Sequence, residues 1–369
     1  MMDVTPEKTN LLGLSVAELE AFFEGQGEKP FHARQILRWM HQRGVTDFDL
    51  MTDLSKGLRT GLKLLAKVEV PTAITESCST DGTVKWLFES GSGQAVETVF
   101  IPEADRGTLC ISSQVGCALD CAFCATGAQG FNRNLLPAEI VGQVWHANRA
   151  LPPRANGEPA VTNVVFMGMG EPLANYRNVL PVLDLLLSDY AYGLSRRKVT
   201  ISTSGLVPNI ERLGDDCNVA LAVSLHAAND KLRNRLVPIN KVHNIEELLG
   251  SCWRYAAKRS NRFITFEYVM LKGINDSLAH ADELFGLLRD RPAKVNLIPF
   301  NPFEGNGFVR SERSRIAEFQ NRLRKNGLVV TTRKTRGDDI DAACGQLAGK
   351  VSDRIRVRLG EKSVRVATA

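Results

Sequence analysis

Apolar residues recur every three or four positions in three segments near the start of the chain, a spacing that predicts short helices. The segments cover residues 14–23, 30–44 and 55–67, and Ser15 is a suitable N-cap for the first. Basic side chains recur along the second and third segments, which indicates either a solvated helix face or a surface that contacts RNA. We therefore expect a small helical accessory domain over residues 1–67.

Between residues 68 and 102 the pattern changes to short strand-like runs, AITES, TVKWLFES and AVETVFI. Asp81 and Gly82 separate the first two runs, and a Gly-Ser-Gly stretch at 91–93 separates the last two. Turn residues between strand-forming runs predict an antiparallel hairpin or meander. We expect this short β extension to link the accessory domain to the rest of the chain.

From Thr108 onward, apolar strands alternate with helical segments. The strand signals lie at 108–112, 162–168, 198–203, 218–225, 263–271 and 293–299. Apolar strands with helical crossovers predict a parallel sheet covered by helices, and right-handed crossovers curl such a sheet toward a barrel. Because a closed barrel needs about eight units, we expect an α/β fold with an open, partial (β/α)6 barrel over residues 103–336. Residues 337–369 are expected to form a C-terminal extension that ends in a loose tail, EKSVRVATA.

Composition places the chain among ordinary globular proteins. Of its 369 residues, 44% are hydrophobic and 24% are charged, which is enough for a full core. No apolar run approaches the length of a membrane span, and the polar N-terminus lacks the apolar region of a signal peptide, so we expect a cytoplasmic protein. Eight cysteines in a reducing compartment indicate metal binding or catalysis rather than disulfides. A net charge of +5 is compatible with a polyanionic partner.

Three cysteines, Cys117, Cys121 and Cys124, stand in the spacing C-x3-C-x2-C. Thiolates suit zinc or iron–sulfur clusters, but zinc sites usually pair their ligands as C-x2-C with a second pair further along, and the sequence has no such second pair. Three thiolates on a four-iron cluster leave one iron open to a substrate or cofactor. The triplet follows the first barrel strand, where catalytic loops of such folds lie. Zinc completed by a distant residue and three buried cysteines without metal are the alternatives.

A C-x3-C-x2-C triplet after a first strand resembles the radical S-adenosylmethionine (SAM) superfamily. The resemblance implies that the amino and carboxylate groups of SAM chelate the open iron. The stretch GMGEP at 168–172, after the second strand, is similar to the superfamily's turn that holds the SAM amino group. By itself it is only a tight turn before a helix.

Further blocks resemble the RlmN family of adenine methyltransferases, which act on ribosomal and transfer RNA. They occur in the same order as in that family: VETVFIPE (96–103), QVGCALDCAFCATG (114–127), VVFMGMGEPLANY (164–176), STSG (202–205), SLHA (224–227), NLIPFNPF (296–303) and RKTRGDDIDAACGQLAG (333–349). The blocks cover nearly the whole chain after residue 95, and KPFHARQI near the N-terminus is similar to the family's accessory domain. The agreement of several unrelated motifs makes the resemblance specific.

Two further cysteines gain a role from this resemblance. Taken alone, Cys110 in the first strand and Cys344 in a Gly/Ala-rich turn are small buried hydrophobes. Carbon 2 of adenine is electron-poor, so methylation there needs a carbon radical, and a protein thiol is a suitable methyl carrier. Release of the product from that thiol needs a second thiol, which forms a disulfide. The resemblance implies that Cys344 carries the methyl group as S-methylcysteine, that Cys110 is the resolving cysteine, and that Glu97 accepts the carbon-2 proton.

The resemblance also implies the cofactors and their contacts. We expect one [4Fe–4S] cluster per chain, held by the cysteine triplet, and two SAM molecules per turnover, which supply the methyl group and a 5'-deoxyadenosyl radical. The residues that match the family's SAM contacts follow the predicted strands: Gly170, Glu171, Ser202, Ser224, Leu225, His226 and Asn301. Three other cysteines, Cys78, Cys217 and Cys252, are expected to be structural.

The expected partners are RNA and an electron donor. The family acts on one adenine of 23S rRNA and on the adenine beside the anticodon of certain tRNAs, and the base is expected to leave its stack for the reaction. A low-potential electron donor is required, and we expect a monomer. Two alternatives stay open: the related enzyme that methylates carbon 8 of the same ribosomal adenine, and a zinc-stabilised RNA-binding protein without catalysis. Metal analysis separates the second alternative from an iron–sulfur enzyme.

Overall fold

A ten-stranded sheet forms the centre of the computed structural model, which describes residues 8–91, 93–258 and 263–349. The strands are, in chain order, β1 (Thr9–Asn10), β2 (Ala66–Lys67), β3 (Ala73–Cys78), β4 (Val84–Glu89), β5 (Ala95–Pro102), β6 (Gly107–Cys110), β7 (Gln114–Gly116), β8 (Phe131–Asn134), β9 (Asn163–Phe166), β10 (Val199–Thr203), β11 (Ala220–Ser224), β12 (Ile264–Met270), β13 (Ala293–Pro299) and β14 (Val329–Thr332). The α-helices are α1 (Val16–Gly25), α2 (Phe31–Leu37), α3 (Lys56–Leu65), α4 (Ala125–Gln129), α5 (Pro137–Ala150), α6 (Tyr176–Leu187), α7 (Val207–Asp216), α8 (Asp230–Leu236), α9 (Ile245–Ala257), α10 (Leu278–Leu288) and α11 (Arg313–Lys325).

The central sheet has a parallel part and an antiparallel part. Its strands follow the order β14-β13-β12-β11-β10-β9-β6-β5-β4-β3. Neighbours from β14 to β6 are parallel, and neighbours from β6 to β3 are antiparallel. The predicted barrel strands correspond to β6 and β9–β13, and helices follow them in the order that the sequence predicts. The prediction of an α/β fold with a partial barrel is confirmed.

Two features of the sheet are not predicted by the hydrophobic pattern. A further parallel strand, β14, pairs with β13 at the sheet edge, and only Val330 within it is buried, which is too weak a signal to stand out. The meander β3–β5 is not a separate unit, because β5 pairs with β6 and places Phe100 opposite Leu109. Six consecutive residues of β5 are buried on both of its faces, and a strand of that kind belongs inside a sheet rather than at its edge.

The N-terminal helices begin where the sequence predicts. Ser15 caps α1 in a capping box with Glu18. The second predicted helix is not α-helical throughout. Helix α2 ends at Leu37, and the chain continues directly as a wider π-helical turn over Arg38–Gln42. Arg34 and Arg38 place their guanidinium groups 5.3 and 5.1 Å from the ring centre of Tyr190, so part of the predicted basic surface packs against the chain itself. The RNA-contacting role of this module stays a prediction.

The helical module and the sheet share one hydrophobic core. Buried apolar residues between Leu11 and Leu347 form one connected cluster. Trp145 in α5 donates to the carbonyl oxygen of Met40 at 2.8 Å, which ties the module to the barrel. Among the helices of the described residues, none combines the length and the apolar composition that a membrane crossing needs. The predicted tail EKSVRVATA lies outside the described residues, and the predicted domain boundaries remain predictions.

We expect Gly13→Ala to weaken the packing of the helical module on the barrel. The added methyl carbon would lie 2.3 Å from the backbone nitrogen of Ala138 in α5, so one backbone must shift. Overpacking of this kind costs about 1–3 kcal/mol of unfolding free energy. Gly61→Ala in α3 is the control, because nothing lies within 4 Å of its added methyl, and alanine stabilises a helix by about 0.5–1 kcal/mol relative to glycine. Urea unfolding measures both variants, and equal stabilities would contradict this packing.

Candidate active site

The cysteine triplet lies in the loop of a small hairpin that branches from the end of β6. Strand β7 pairs antiparallel with β8, and the three cysteines occupy the residues between them. The N–H of Cys117 donates to the carbonyl oxygen of Gly130 at 2.8 Å, which closes the loop at its base. Gly116 has a φ of +75°, and a Cβ there would lie 1.9 Å from the Gly130 oxygen, so only glycine fits this closure. The hairpin therefore presents the cysteines on a fixed loop.

All three thiols of the triplet line one cavity of about 150 Å³. Burial raises the pKa of each thiol, that of Cys121 to about 12, and neighbouring thiols of the site raise them further. No group of three His, Cys, Asp or Glu side chains in the described residues is arranged to hold a single metal ion. A four-iron cluster does not need such an arrangement, because each thiolate binds a different iron. Because nearby thiols make one another's ionisation less favourable, the set suits a ligand that brings positive charge, such as the iron of a cluster.

The GMGEP turn forms one wall of this cavity. Gly170 has a φ of +98°, and a Cβ there would lie 2.5 Å from the Gln114 side chain, so the turn packs directly on β7. The carboxylate of Glu171 accepts from the N–H groups of Ser204 at 2.8 Å and Leu173 at 3.0 Å. Burial nevertheless raises the pKa of Glu171 to about 7. The turn therefore presents a carboxyl group that would gain from a cationic ligand.

The other predicted SAM contacts gather at the same cavity from the ends of neighbouring strands. Its lining includes Ser202, Ser224, His226 and Asn301. The Nδ1 atom of His226 accepts from a backbone N–H at 3.0 Å, and burial lowers the pKa of this histidine to about 3, so the ring is neutral and carries its hydrogen on Nε2. Leu225 is the exception: it is fully buried and does not line the cavity.

A C-terminal loop brings Cys344 to the cysteine triplet. The loop lies across the triplet's hairpin, where the Ala125 N–H donates to the carbonyl oxygen of Gly345 at 2.8 Å and the Thr126 hydroxyl donates to that of Leu347 at 2.5 Å. From the barrel side, the Asn301 amide donates to the carbonyl oxygen of Cys344 at 3.1 Å. Cys344 and Gly345 thereby complete the lining of the triplet's cavity.

Cys110 and Cys344 meet in a second, smaller cavity of about 30 Å³. Cys110 is buried, and burial raises its pKa to about 12, with the nearby Cys344 acting in the same direction. Arg333 lines both cavities, and the nearby Cys344 sulfur is the strongest of the groups that raise the pKa of its guanidinium. All eight cysteines are free thiols in this structure. The predicted methyl-carrying and resolving cysteines are therefore brought together without being bonded.

Glu97, like Leu225, lines neither cavity. One of its carboxylate oxygens pairs with the Lys85 ammonium at 3.0 Å. The other accepts from the N–H groups of Ala348 at 2.8 Å and Gly349 at 3.3 Å. In this conformation one carboxylate oxygen binds Lys85, and the other binds the C-terminal loop a few residues after Cys344.

Two charged residues of the cavity were not among the predicted contacts. Arg333 opens the RKTRGDD block, and its position directly after a strand end was the available signal. Glu267 lies in β12, is buried, and accepts from the Asn296 amide at 2.8 Å. A single carboxylate inside the apolar run FITFEYVML was the corresponding signal, since such a group needs a polar partner.

Two family profiles and two solved structures are similar to this chain. The family profile "Ribosomal RNA large subunit methyltransferase N-terminal domain" matches residues 9–68, and the profile "Radical SAM superfamily" matches residues 111–285. A crystal structure of a radical SAM methyltransferase from Sphaerobacter thermophilus is 44% identical, with a TM-score of 0.85, and the match covers 92% of this chain and 99% of that one. Streptococcus suis SuiB bound to S-adenosylmethionine is far more distant, at 13% identity and a TM-score of 0.44, over 65% of this chain and 57% of that one.

The turn between β3 and β4 anchors the C-terminal loop. The Asp339 carboxylate accepts from the Ser79 hydroxyl at 2.5 Å and from the Thr80 N–H at 3.1 Å. The Asp81 carboxylate accepts from the Gly337 N–H at 3.2 Å. Through these bonds the antiparallel end of the sheet holds the segment that carries Cys344.

We expect Asp339→Ala to loosen the C-terminal loop, because it removes both hydrogen bonds to the turn. Each such bond contributes about 0.5–1.5 kcal/mol, so trypsin cleavage after Arg333, Lys334 or Arg336 should speed up about tenfold. Asp338→Ala is a matched control, since the neighbouring Asp338 is exposed and makes only a long ion pair of 3.9 Å. Equal cleavage rates in the two variants would show that Asp339 does not anchor the loop.

Proposed function

The chain belongs to the radical SAM methyltransferases of the RlmN type, and from this membership we propose that it methylates carbon 2 of one adenine in 23S rRNA and of the adenine beside the anticodon of certain tRNAs. One observation carries the proposal: Cys110 and Cys344 share a cavity that adjoins the cavity of the cysteine triplet. A methyltransferase that uses direct displacement has no need of two free thiols at that place. A reaction that passes the carbon through a protein sulfur needs both.

The residues at the first cavity suit one [4Fe–4S] cluster and SAM. Cys117, Cys121 and Cys124 would hold three irons, and SAM would bind the fourth. When bound, these groups supply the methyl group and a 5'-deoxyadenosyl radical, with two SAM molecules used per turnover. The Glu171 carboxylate beside Gly170 would bind the SAM ammonium group, which favours the ionised carboxylate and offsets the cost of its burial.

The neutral polar groups of the cavity suit the uncharged parts of SAM. The Nε2–H of His226 is a donor, and the side chains of Ser202, Ser224 and Asn301 offer further donors and acceptors along the strand ends. Leu225 is buried, lines neither cavity and donates its backbone N–H to the Glu267 carbonyl oxygen, so it would support its neighbours rather than contact SAM itself.

The two thiols would act in sequence. The Cys344 sulfur would accept a methyl group from SAM, one hydrogen atom of that methyl group would pass to the 5'-deoxyadenosyl radical, and the carbon would bond to adenine while still attached to this sulfur. Once the carbon-2 proton has gone to Glu97, the adduct would give up its unpaired electron to the oxidised cluster. The Cys110 sulfur then attacks the Cys344 sulfur, forming a disulfide. The carbon–sulfur bond breaks, its electron pair goes to the carbon, and the carbon takes up a proton to become the methyl group of the product. An external thiol must reduce the disulfide before the next turnover.

Glu97 would accept the proton that leaves carbon 2. In the described conformation its oxygens are engaged by Lys85, Ala348 and Gly349, so the segment after Cys344 must move before the carboxylate meets a base. The same movement would open the thiols to an adenine that has left its stack. Glu97 would therefore hold the loop in the absence of RNA and act as the base in its presence.

The partners follow from the same proposal. The RNA would bind mainly through its phosphates and lose affinity as salt rises. A low-potential electron donor would deliver the electron that SAM cleavage requires. We propose a cytoplasmic location and a monomer, in keeping with the expected substrates.

We expect Cys121→Ala to lose its iron, because the variant leaves two thiolates for a cluster that needs three. Iron and labile sulfide should fall to background, and SAM cleavage should stop. Cys252→Ala, which removes a buried cysteine without a predicted role, should keep both. A Cys121→Ala protein with a full cluster would rule out this ligand, and zinc in place of iron in the unmodified protein would support the non-catalytic alternative.

The proposed order of the two thiol steps predicts that Cys344→Ala and Cys110→Ala stop the reaction at different points. Cys344→Ala should lose the S-methyl mass on the peptide that contains AACGQ, together with all product. Cys110→Ala should keep that methyl group and stop later, with RNA covalently linked to Cys344, because only the release step needs Cys110. Denaturing gels and mass spectrometry measure both species, and RNase should remove the linked one.

The control and the competing outcomes are specific. Cys217→Ala should behave like the unmodified protein. Normal turnover by Cys110→Ala would refute the resolving role. The position of the methyl group in digested RNA decides between carbon 2 and the carbon-8 alternative.

A further inference from the structure

Arg233 of α8 is a cation that the mechanism above does not use, and its side chain has no exposed surface. Its guanidinium donates to four neutral oxygens. They are the carbonyl oxygens of Ser204 (2.6 Å), Leu225 (3.1 Å) and Ser224 (3.1 Å) and the side-chain oxygen of Asn240 (2.7 Å). These bonds join the ends of β10 and β11, the two strands whose following residues border the cofactor cavity.

The charge of Arg233 has no bonded anion in the described part of the chain. A buried cation without a close anion is costly, and burial lowers the pKa of Arg233 to about 10. The groups that favour its charge are, in order of effect, Cys121, Cys252 and Asp230. The strongest of these is a member of the cysteine triplet, so the compensating negative charge would come from the cluster side.

A short path connects Arg233 to Cys121. The carbonyl oxygen of Ser204 accepts from Arg233, and the hydroxyl of the same serine lies 3.9 Å from the Cys121 sulfur. At the end of α8, the carbonyl oxygen of Leu236 accepts from the Ala122 N–H at 3.0 Å. The helix that carries Arg233 is therefore bonded to the residue next to Cys121.

The side of this path behind the cysteine loop is apolar, while the Glu171 carboxylate accepts from the Ser204 N–H on the cavity side. A second hydrophobic cluster packs behind the cysteine loop, with Leu119, Leu232, Leu236 and Phe300 among its buried members, and Cys117 and Cys121 pack against it. Charges interact more strongly in such surroundings than in water. Arg233 thus acts on the triplet through a medium that screens it poorly.

We propose that Arg233 is the counter-charge of the iron–sulfur cluster: it is a positioning residue that holds the strand ends beside the cluster and favours the more negative, one-electron-reduced state. The inference rests on the cluster of the proposed function. One electron from the low-potential donor would add one negative charge to the cluster held by the triplet, while no bond forms or breaks and Arg233 keeps its proton. A fixed positive charge makes that addition easier, so the reduction potential is higher with Arg233 than without it.

The test compares cluster-loaded variants in a redox titration followed by electron paramagnetic resonance. Arg233→Met and Arg233→Gln remove the charge, and glutamine keeps an amide donor for the carbonyl oxygens. Arg233→Lys keeps the charge but loses most of the hydrogen bonds. Arg254→Met is the matched control, because it removes an exposed arginine that pairs with Glu211.

At the midpoint potential of the unmodified protein, the neutral variants should show a reduced-to-oxidised ratio about tenfold lower, which corresponds to about 59 mV for one electron. Arg233→Lys and Arg254→Met should stay within about twofold of the unmodified protein. A neutral variant with an unchanged midpoint would overturn the proposal, since a purely structural role would lower the iron content and leave the potential of the remaining cluster unchanged.

Two further outcomes keep the inference separate from the proposed function. If both neutral variants fail to fold, Arg233→Lys decides, because a tenfold fall with the charge retained would overturn the proposal and an unchanged midpoint with lost hydrogen bonds would support it. If the unmodified protein takes up no iron, the proposed function fails and this inference fails with it. If the cluster forms but RNA is not methylated, the redox titration still tests Arg233.

Discussion

The hydrogen bond from the Ala125 N–H to the Gly345 carbonyl oxygen joins the two segments on which the site depends. One segment carries the cysteine triplet and the other carries Cys344. The neighbouring bond between Thr126 and Leu347 spans a separation of 221 residues, so closing this contact carries the entropic cost of a long loop. The cofactor cavity and the thiol cavity share Cys344 as a wall because of this contact.

The antiparallel end of the sheet gives the C-terminal loop its second support. The β3–β4 turn binds it through Asp339, and β5 binds it through Glu97. The β3–β5 meander, expected from sequence to be a linking extension, therefore holds the segment that carries Cys344. Under the proposed mechanism, some of these hydrogen bonds must break when RNA binds, so their strength sets how readily the site opens.

Buried groups of the site have ionisation preferences that suit positively charged cofactors. The triplet thiols and the Glu171 carboxyl have raised pKa values, because burial disfavours their negative forms. Iron would stabilise the thiolates, and the SAM ammonium group would stabilise the Glu171 carboxylate. On the opposite side, Arg233 would offset the negative charge of the cluster. The protein interior is thus matched to its cofactors, and such displaced pKa values are typical of functional sites.

Local sequence was enough to predict six barrel strands with the helices that follow them, the spacing of the cysteine triplet and the strand ends at which the predicted cofactor contacts lie. These features depend on spacing between near neighbours: apolar period, helix caps, and the fact that parallel strands end at one edge of a sheet. The sequence by itself did not decide that Glu97 is occupied by the C-terminal loop, that Leu225 lies outside the cavity lining, or that Arg233 is linked to Cys121 through Ser204. Only the tertiary structure decided these points, because each depends on which distant backbone groups meet in a packed interior, and no local pattern records that.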